Sequence, residues 1–560
     1  MTGLDPSVRA ELDGHLQFLY GEGAGAVATA LAELVTRYAA RLSGPGLRRV
    51  WREADVVLIT YADSIRTPGE PPLRTLARVL PDLAPEVPTV HLLPFYPSTS
   101  DDGFSVVDYL RVDPAVGTWA DVAALRERVE LMFDAVVNHV SAHSDWFRGF
   151  LAGDERYREW FITVPDGTDV SQVVRPRTLP LLTPFDTARG TELVWTTFSA
   201  DQIDLNYAHP DVLLAVVGVL LEYVARGATV IRLDAVTYLW KRLGTSSVHL
   251  PETHRVIRLL RTVLDAVAPS TTLITETNVP HAENVSYFGD GHDEAQLVYN
   301  FALPPLVLHS FLTSDATALT RWASALETPS TETCFFNFLA SHDGVGVRGA
   351  EGILTDDQLR RLASRVEAHG GLVGYRSLPD GSAVPYELNV NYYDALNDPA
   401  SDEPLATRVA RFVTAQAIML ALPGVPGIYV HSLFGSRGWP EGVARTGANR
   451  TINRAALDRD ELVAELADPS GRRARVLAAY RRLLAVRGSC AAFAPQAPAR
   501  VVDLGPGLFA LERDAGAERV LCVHNVTGTP EPLPHPGKDL LTDVVVTAVP
   551  AWGTVWVEVD

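Results

Sequence analysis

The sequence predicts an α/β protein built on a (β/α)8 barrel, the TIM-barrel class. Three observations predict this class. Eight short apolar runs recur along the chain, most of them precede a stretch of helical periodicity, and polar residues stand where many of the runs end. Strands buried on both faces of a parallel sheet read as continuous apolar runs, and their alternation with helices is typical of parallel α/β folds.

The candidate strands are separated widely enough for a helix to lie between most of them. They are residues 56–60, 90–94, 131–138, 228–234, 272–276, 297–300, 335–338 and 427–430. Helical periodicity is clearest in 210–226 and 405–422. Barrel enzymes build their active sites at the carboxyl ends of the strands, so the polar residues that end these runs are the candidates for chemistry.

Two connections are too long to be simple loops and predict insertions. Residues 141–207 follow the third run, are rich in Pro, Arg and aromatic residues, and predict an inserted subdomain. Residues 344–404 follow the seventh run and predict a loop-rich insertion because of their Gly and Pro turn signals. Residues 495–560 contain short alternating strands and predict a small carboxy-terminal β domain. The predicted barrel then comprises 1–140, 208–343 and 405–494.

The composition argues against several kinds of partner. A formal net charge of -20 disfavours nucleic acid and anionic membranes, because both need a basic surface. The amino terminus has no signal-peptide pattern, and no apolar stretch reaches the ~20 residues of a membrane span, so we expect a cytoplasmic protein. Three scattered cysteines form no disulfide framework or metal motif. We expect no metal and no cofactor.

The fourth and fifth runs end in residues suited to a double displacement. Arg232 and Asp234 are two apart on one strand, so both side chains point the same way. A cation ~4 Å from a carboxylate is worth about 4 kcal/mol at an effective dielectric near 20 and favours the ionised form, as a nucleophile needs. Glu276 ends the next strand, and adjacent strands ~4.8 Å apart place the two acids near the ~5 Å separation of a retaining glycosidase.

Each of these patterns has a plain structural alternative. Arg232 and Asp234 are also what a structural ion pair at a strand end looks like, and Glu276 alone could cap a helix. Beside two other carboxylates, however, the proton of Glu276 is harder to remove, which suits a general acid. His139 and the pair His342 and Asp343 end the third and seventh runs and suit sugar hydroxyls. The four motifs together predict an active site.

The four motifs resemble those of the α-amylase superfamily. They stand at 134–139, 231–235, 274–276 and 340–343, and the similarity extends from about residue 55 to residue 454. The resemblance implies that Asp234 is the nucleophile, Glu276 the acid/base and Asp343 the group that stabilises the transition state.

A narrower resemblance is to the sucrose phosphorylase group of that superfamily. Residues 93–105 and 449–454 carry it. It implies that Asp101 and Arg450 hold the glucosyl 4-hydroxyl, which closes the site to polysaccharides, and that Arg177 of an Arg-Pro-Arg segment binds phosphate. The resemblance further implies that Phe198 and Gln202 line the glucosyl and acceptor sites. His139, Arg232 and His342 are predicted as further substrate contacts.

Within that group the chain looks most like the glucosylglycerate phosphorylases. Residues 240–250, 277–281 and 372–387 carry this likeness, which sucrose 6-phosphate phosphorylases partly share. Both acceptors are anions, so three basic residues are predicted to bind the acceptor. These are Arg376, Arg445 and Lys241. The segment 345–350 departs from the pattern by adding Arg348 near the site.

The predicted activity is that of a retaining glucosylglycerate phosphorylase, a hexosyltransferase that forms α-D-glucose 1-phosphate and glycerate through a covalent glucosyl-enzyme. Three alternatives stay open at this stage: a sucrose or sucrose 6-phosphate phosphorylase, an α-glucoside hydrolase or transglucosidase, and a non-catalytic binding protein. The partners predicted are a small glucoside and inorganic phosphate. The sequence does not choose between a monomer and a homodimer, or between the two directions of the reaction.

Overall fold

The computed structural model describes residues 4–42, 46–176, 179–377 and 383–559. Its centre is a closed barrel of eight parallel strands, which confirms the predicted fold class. Each of the eight predicted runs overlaps one barrel strand. The strands are β1 (Val57–Thr60), β2 (Thr89–Leu92), β3 (Glu130–Ala135), β4 (Ala228–Leu233), β5 (Thr272–Thr275), β6 (Leu297–Tyr299), β7 (Cys334–Phe338) and β8 (Val425–Tyr429).

The barrel strands pair in chain order, from β1 to β2 and onward to β8, which pairs with β1. The strands are almost wholly buried, since β1, β2, β5, β7 and β8 have no exposed residue. Branched and aromatic residues dominate them, and these residues fit a pleated surface that is covered on both faces. Short apolar segments of this kind are therefore stable as strands only inside the closed barrel.

Helices lie between the barrel strands, and several have a clear start signal. Pro210 and Pro251 occupy the first turns of their helices, where a missing N–H costs nothing. Thr118 and Asp121 form a reciprocal capping box at another. The helices that follow strands are Pro72–Leu83, Trp119–Arg126, Pro210–Ala225, Pro251–Val267, Leu303–Thr313, Thr317–Ala323, Leu405–Ala421 and Arg472–Gly488. Shorter helices are His281–Asn284, Val430–Leu433, Pro440–Thr446 and Arg459–Leu466.

The chain divides into two compact units. The first comprises Met1–Arg49, Leu92–Thr277 and Ser286–Val298, and contains β3, β4 and β5. The second comprises Val50–His91, Asn278–Val285 and Tyr299–Asp560, and contains β1, β7 and β8. Two further helices, Pro6–Tyr20 and Ala24–Ala39, begin the first unit. None of the predicted strands or helices falls within residues 6–39.

The insertion after β3 lies within the first unit and has its own small apolar core. Val164, Val173, Leu181 and Trp195 pack together in it. Its elements are the helix Asp145–Leu151, the hairpin Leu182–Thr187 with Gly190–Trp195, and the antiparallel pair His139–Ser141 with Gln202–Asp204. This pair joins the end of β3 to the far end of the insertion, so the insertion positions residues next to the barrel.

The insertion after β7 is more regular than the loop-rich segment that was predicted. It contains the helix Asp356–Ala368, begun by a capping box of Thr355 and Gln358. It also contains a sheet of three antiparallel strands, Val345–Gly346, Ala383–Asn389 and Leu372–Ser377, and the short helix Tyr392–Leu396. Gly370 lies in the turn after the helix, Pro385 lies within a strand, and the predicted turn 379–381 lies outside the described residues. The pairing of Val345–Gly346 with the distant strand Ala383–Asn389 supplies the order.

The carboxy-terminal region of the second unit is a sheet of six strands, which confirms the predicted β domain. Alternate residues such as Ala510, Val523 and Val555 form its core, as the period-2 pattern of strands requires. In chain order the strands are Ala499–Val502, Leu508–Asp514, Arg519–Asn525, Glu531–Asp539, Val544–Val549 and Thr554–Glu558. The exact predicted domain bounds stay a prediction.

Candidate active site

The register of β4 and β5 brings Asp234 and Glu276 to equivalent positions. Leu233 pairs with Thr275 at the ends of the two strands, and each acid is the residue that directly follows. The N–H of Glu276 donates to the carbonyl of Leu233 over 3.1 Å, which continues the pairing at this level. Adjacent parallel strands lie ~4.8 Å apart. The two carboxylates therefore leave the backbone about one strand spacing from each other.

A single guanidinium contacts three carboxylates here. Arg232 donates to Asp134 and, over 2.8 Å, to Asp234, and its Nη2 lies 3.7 Å from Oε2 of Glu276. The side chains of Arg232 and Asp134 are 2% and 0% exposed, while those of Asp234 and Glu276 are 10% and 14% exposed. The fully buried Asp134 thus positions the guanidinium of Arg232, which presents its positive charge to the partly exposed carboxylates of Asp234 and Glu276.

Ala235 fixes the position of Glu276. It lies in the left-handed region, with φ 47° and ψ 34°, directly after Asp234. A non-glycine residue in this region carries a backbone cost of about 1–2 kcal/mol. The turn directs the N–H of Ala235 to Oε2 of Glu276 over 3.0 Å. The turn therefore orients one of the two acids relative to the other.

The end of β3 places an uncharged imidazole in the first unit. Nε2 of His139 lies 2.8 Å from the carbonyl of Phe104 and 3.2 Å from Nε2 of Gln202. Burial lowers the pKa of His139, against the opposing effect of Asp204. The ring of Phe198 lies 5.3 Å from that of His139. The structure thus brings together three residues that the sequence predicted as substrate contacts.

Lys241 stands in a buried ion pair. Its Nζ lies 2.9 Å from Asp204, donates to Asn138 Oδ1 over 2.8 Å and approaches the carbonyl of Leu205 at 3.5 Å. Its side chain is 2% exposed and that of Asp204 is fully buried. The three donors of the ammonium are used within the protein. This geometry favours a role in holding Asn138 at the end of β3, in place of the acceptor contact that was predicted.

The end of β7 carries the corresponding acid of the second unit. Arg450 contacts Asp343 over 2.6 Å, and Arg454 lies 3.7 Å from the same oxygen. His342 is buried and its Nε2 lies 3.5 Å from Asp343. The guanidinium of Arg450 also donates to both oxygens of Glu387, over 3.0 and 2.6 Å. Asp343 is therefore held by cations from a distant part of the chain.

Glu387 is a site residue that sequence reasoning missed. It sits in the strand Ala383–Asn389, 7% exposed, and pairs bidentately with Arg450, 63 residues further on. Asp134 and Asp204 were likewise given no role, although both are fully buried. The available signal was an acid inside an apolar run, since buried carboxylates are found almost only with partners.

The remaining predicted residues are spread over both units. Asp101 lies in the turn Asp101–Gly103 with φ 51°, and Gly103 is required there because a Cβ would lie 2.7 Å from the carbonyl of Pro94. Arg376 donates to Glu351 over 2.9 Å. Arg445 is exposed and its guanidinium carbon lies 4.5 Å from the Trp439 ring centroid. Arg177 lies outside the described residues.

The described part of the chain contains neither a candidate metal cluster nor a candidate membrane-spanning helix. No group of three or more His, Cys, Asp or Glu side chains in it could hold a metal ion. None of its helices is both long enough and apolar enough to span a bilayer.

The sequence is similar to known proteins over nearly its whole length. Residues 85–354 match the α-amylase catalytic domain family. The chain is 52% identical to a glucosylglycerate phosphorylase of Allomeiothermus silvanus, over 98% of each chain. It is 43% identical to a glucosylglycerate phosphorylase of Escherichia coli, over 98% of this chain and 100% of the relative.

The chain belongs to the glucosylglycerate phosphorylase family. This confirms the predicted resemblance and the predicted enzyme class, because glycoside phosphorylases are glycosyltransferases. A solved structure in the same superfamily is that of a sucrose 6F-phosphate phosphorylase from Thermoanaerobacter thermosaccharolyticum. It superposes with a TM-score of 0.74 at 25% identity, covering 86% of this chain and 95% of that one. The non-catalytic alternative is therefore set aside.

Proposed function

We propose that the protein is a retaining glucosylglycerate phosphorylase, which converts glucosylglycerate and inorganic phosphate into α-D-glucose 1-phosphate and glycerate. One observation carries this proposal: near full-length identity of 52% to a glucosylglycerate phosphorylase, in a chain whose β4 and β5 end in two accessible acids on one arginine. The identity supports the substrate, and the two acids support the mechanism.

In the first step Asp234 attacks the anomeric carbon and the bond to the glycerate oxygen breaks. Arg232 supports this role, because a guanidinium 2.8 Å from the carboxylate favours its ionised form. Glu276 gives its proton to the departing oxygen, so this oxygen leaves as an uncharged hydroxyl group of glycerate. A β-glucosyl ester of Asp234 remains, as in other retaining enzymes.

In the second step phosphate attacks the ester from the face that glycerate vacated. Glu276, now ionised, accepts a proton from the incoming phosphate, and the carbon–oxygen bond to Asp234 breaks. The product is the α-anomer, because two inversions restore the configuration. The N–H of Ala235, 3.0 Å from Oε2 of Glu276, supports this exchange by keeping the carboxylate oriented in both protonation states.

The other predicted residues have binding roles in this proposal. Asp343 stabilises positive charge on the glucosyl ring in the transition state, and Arg450 and Arg454 hold its carboxylate in place. Asp101, His139 and Arg450 bind glucosyl hydroxyls. Phosphate is held by Arg177, since a dianion needs a bidentate cation in a site rich in carboxylates. The enzyme acts in cytoplasmic carbohydrate metabolism as a monomer or homodimer.

The test is phosphate-dependent cleavage of glucosylglycerate by the purified protein, read as glucose 1-phosphate. The panel includes sucrose, sucrose 6-phosphate and glucosylglycerol as competing substrates. Asp234→Asn should lower kcat at least about a thousandfold, as loss of a nucleophile does. Unchanged turnover of that variant would end the assignment of Asp234.

A second variant separates phosphorolysis from hydrolysis. Arg177→Ala should lose phosphate-dependent cleavage while slow release of free glucose continues, because water needs no cation. Arg175→Ala is the matched control from the same segment. Glucose release that does not depend on phosphate in the unaltered enzyme would instead favour an α-glucoside hydrolase or transglucosidase.

A further inference from the structure

Two arginines of the second unit face one carboxylate. Arg376 donates to Oε1 of Glu351 over 2.9 Å, and Nε of Arg348 lies 3.8 Å from Oε2 of the same residue. The three side chains are between 14% and 26% exposed. Two guanidinium groups and one carboxylate leave one positive charge, so this cluster can accept a second anion.

The two arginines have donors that the protein does not use. Nε of Arg348 and Nε of Arg376 are buried, and within the described ranges neither has a hydrogen-bond partner. A guanidinium carries five N–H donors in a planar fork that matches a carboxylate. Leaving a buried donor without a partner costs about 1–3 kcal/mol.

One arginine of the cluster contacts a residue that is close in sequence to the acid/base. Nη1 of Arg348 lies 3.5 Å from the carbonyl of Asn278, which follows Glu276 by two residues. The preceding strand packs tightly there, since a Cβ on Gly346 would lie 2.6 Å from the Asn278 side chain. Within the same sheet Gly346 pairs with Glu387, the partner of Arg450.

Arg376 approaches from the neighbouring strand of that sheet. Its strand, Leu372–Ser377, pairs with Ala383–Asn389, and Gly374 stands opposite Glu387. Arg348 and Arg376 thus flank the strand that carries Glu387, and Arg450 joins Glu387 to Asp343. The cluster and the residues that hold the acid at the end of β7 are thus carried by neighbouring strands of one sheet in the second unit.

We propose that Arg348 and Arg376 together bind the carboxylate of the acceptor, and so select glycerate over neutral acceptors. This inference rests on the proposed function. In glycerate the carboxylate carbon is bonded to C2, so it stands one or two bonds from the carbon that carries the glycosidic oxygen. A group that binds it must therefore lie near the glycosidic oxygen, and Arg348 contacts the carbonyl of Asn278, two residues after the acid/base in the sequence.

The experiment measures the synthetic direction with the full-length enzyme. Phosphate release from α-glucose 1-phosphate is followed with glycerate or with glycerol as acceptor, for Arg348→Gln, Arg376→Gln and the double variant. Arg361→Gln is the matched control, because Arg361 is an exposed arginine of the helix Asp356–Ala368 and pairs with Asp357 over 2.7 Å. Arsenate-dependent hydrolysis of glucose 1-phosphate measures glucosyl transfer to arsenate, without glycerate or glycerol.

We expect each Gln variant to raise KM for glycerate about 10- to 100-fold, the effect of a charge-assisted hydrogen bond. KM for glycerol and the rate of arsenolysis should stay within about threefold of the unaltered enzyme, and Arg361→Gln should change neither. A purely structural role would weaken both acceptors alike. Equal losses for glycerate and glycerol, or an unchanged KM for glycerate, would overturn the inference.

Two further measurements keep the outcomes distinct. Arg376→Lys and Arg348→Lys retain the charge and the pairing with Glu351, so they replace any Gln variant that does not fold. Each should give a KM for glycerate between that of the unaltered enzyme and that expected of the Gln variant. An unaltered enzyme that uses glycerate, while the Gln variants lose glycerate and glycerol alike, would overturn the inference alone. An unaltered enzyme that performs arsenolysis but does not use glycerate would overturn the proposed function as well. An unaltered enzyme without arsenolysis would overturn the proposed function, and the inference with it.

Discussion

Replacing Lys241 by Met tests whether this lysine is structural. The change removes an ammonium whose side chain is 2% exposed and leaves Asp204 fully buried without its cation. Removing one partner of a buried ion pair typically costs about 3–5 kcal/mol. Asp204 keeps hydrogen bonds from the N–H and hydroxyl of Thr197, over 2.6 and 2.8 Å, and from Asn138, over 3.2 Å. These bonds place the expected loss near the lower end, at about 3 kcal/mol.

The assay is the free energy of the first unfolding transition in urea. Lys538→Met is the matched control, because Lys538 is the only other lysine of the sequence. It pairs with Asp543 at side-chain exposures of 51% and 72%, so its loss should leave the free energy of unfolding nearly unchanged. The double variant Lys241→Met with Asp204→Asn should lose less than the sum of the two single variants, since it removes the unpaired charge.

The loss of Lys241 should also change the catalytic activity. Lys241→Met should lower kcat through Asn138, whose Oδ1 accepts from the ammonium over 2.8 Å, and should leave the ratio of KM values for glycerate and glycerol unchanged. A stability loss no larger than that of Lys538→Met, together with a raised KM for glycerate alone, would refute this account. That result would return Lys241 to the acceptor site.

Three further predictions concern packing, pH and thiol reactivity. Gly346→Ala should lower kcat/KM at least about tenfold, because its Cβ would lie 2.6 Å from the Asn278 side chain; Gly218→Ala, with nothing within 4 Å of its Cβ, should be neutral in the same assay. Burial lowers the pKa of His431 and of His524 to about 3, so the stability that their neutral forms provide is present above pH 6.5 and is lost as the pH falls towards 3. Each contributes up to about 1.4 kcal/mol per pH unit, and urea titrations between pH 4.5 and 7 should show a flatter slope for His524→Gln. The three cysteines are free and buried, and burial raises the pKa of each thiol, so a disulfide reagent should modify them rapidly only after unfolding. They are Cys334, Cys490 and Cys522.

The sequence by itself determined the barrel strands and the polar residues at their carboxyl ends that are candidates for catalysis. Strand burial is a local property, because a strand covered on both faces must be apolar along its length. The run 228–234 therefore predicted β4 (Ala228–Leu233), and the polar residues after it predicted the carboxyl end. Period 2 along a strand also sufficed to place Arg232 and Asp234 on one side, where the structure finds them in contact.

The tertiary structure alone decided which charged groups became partners. Lys241 and Asp204 are 37 residues apart, and Arg450 and Glu387 are 63 apart. Nothing in the local pattern distinguishes a lysine that is buried on an aspartate from one that awaits an anion. The same holds for Arg348 and Arg376, which meet at Glu351 only because two strands of the second insertion pair across Ala383–Asn389. Ionic partners depend on proximity in space at low dielectric, and a sequence contains that information only through the completed fold.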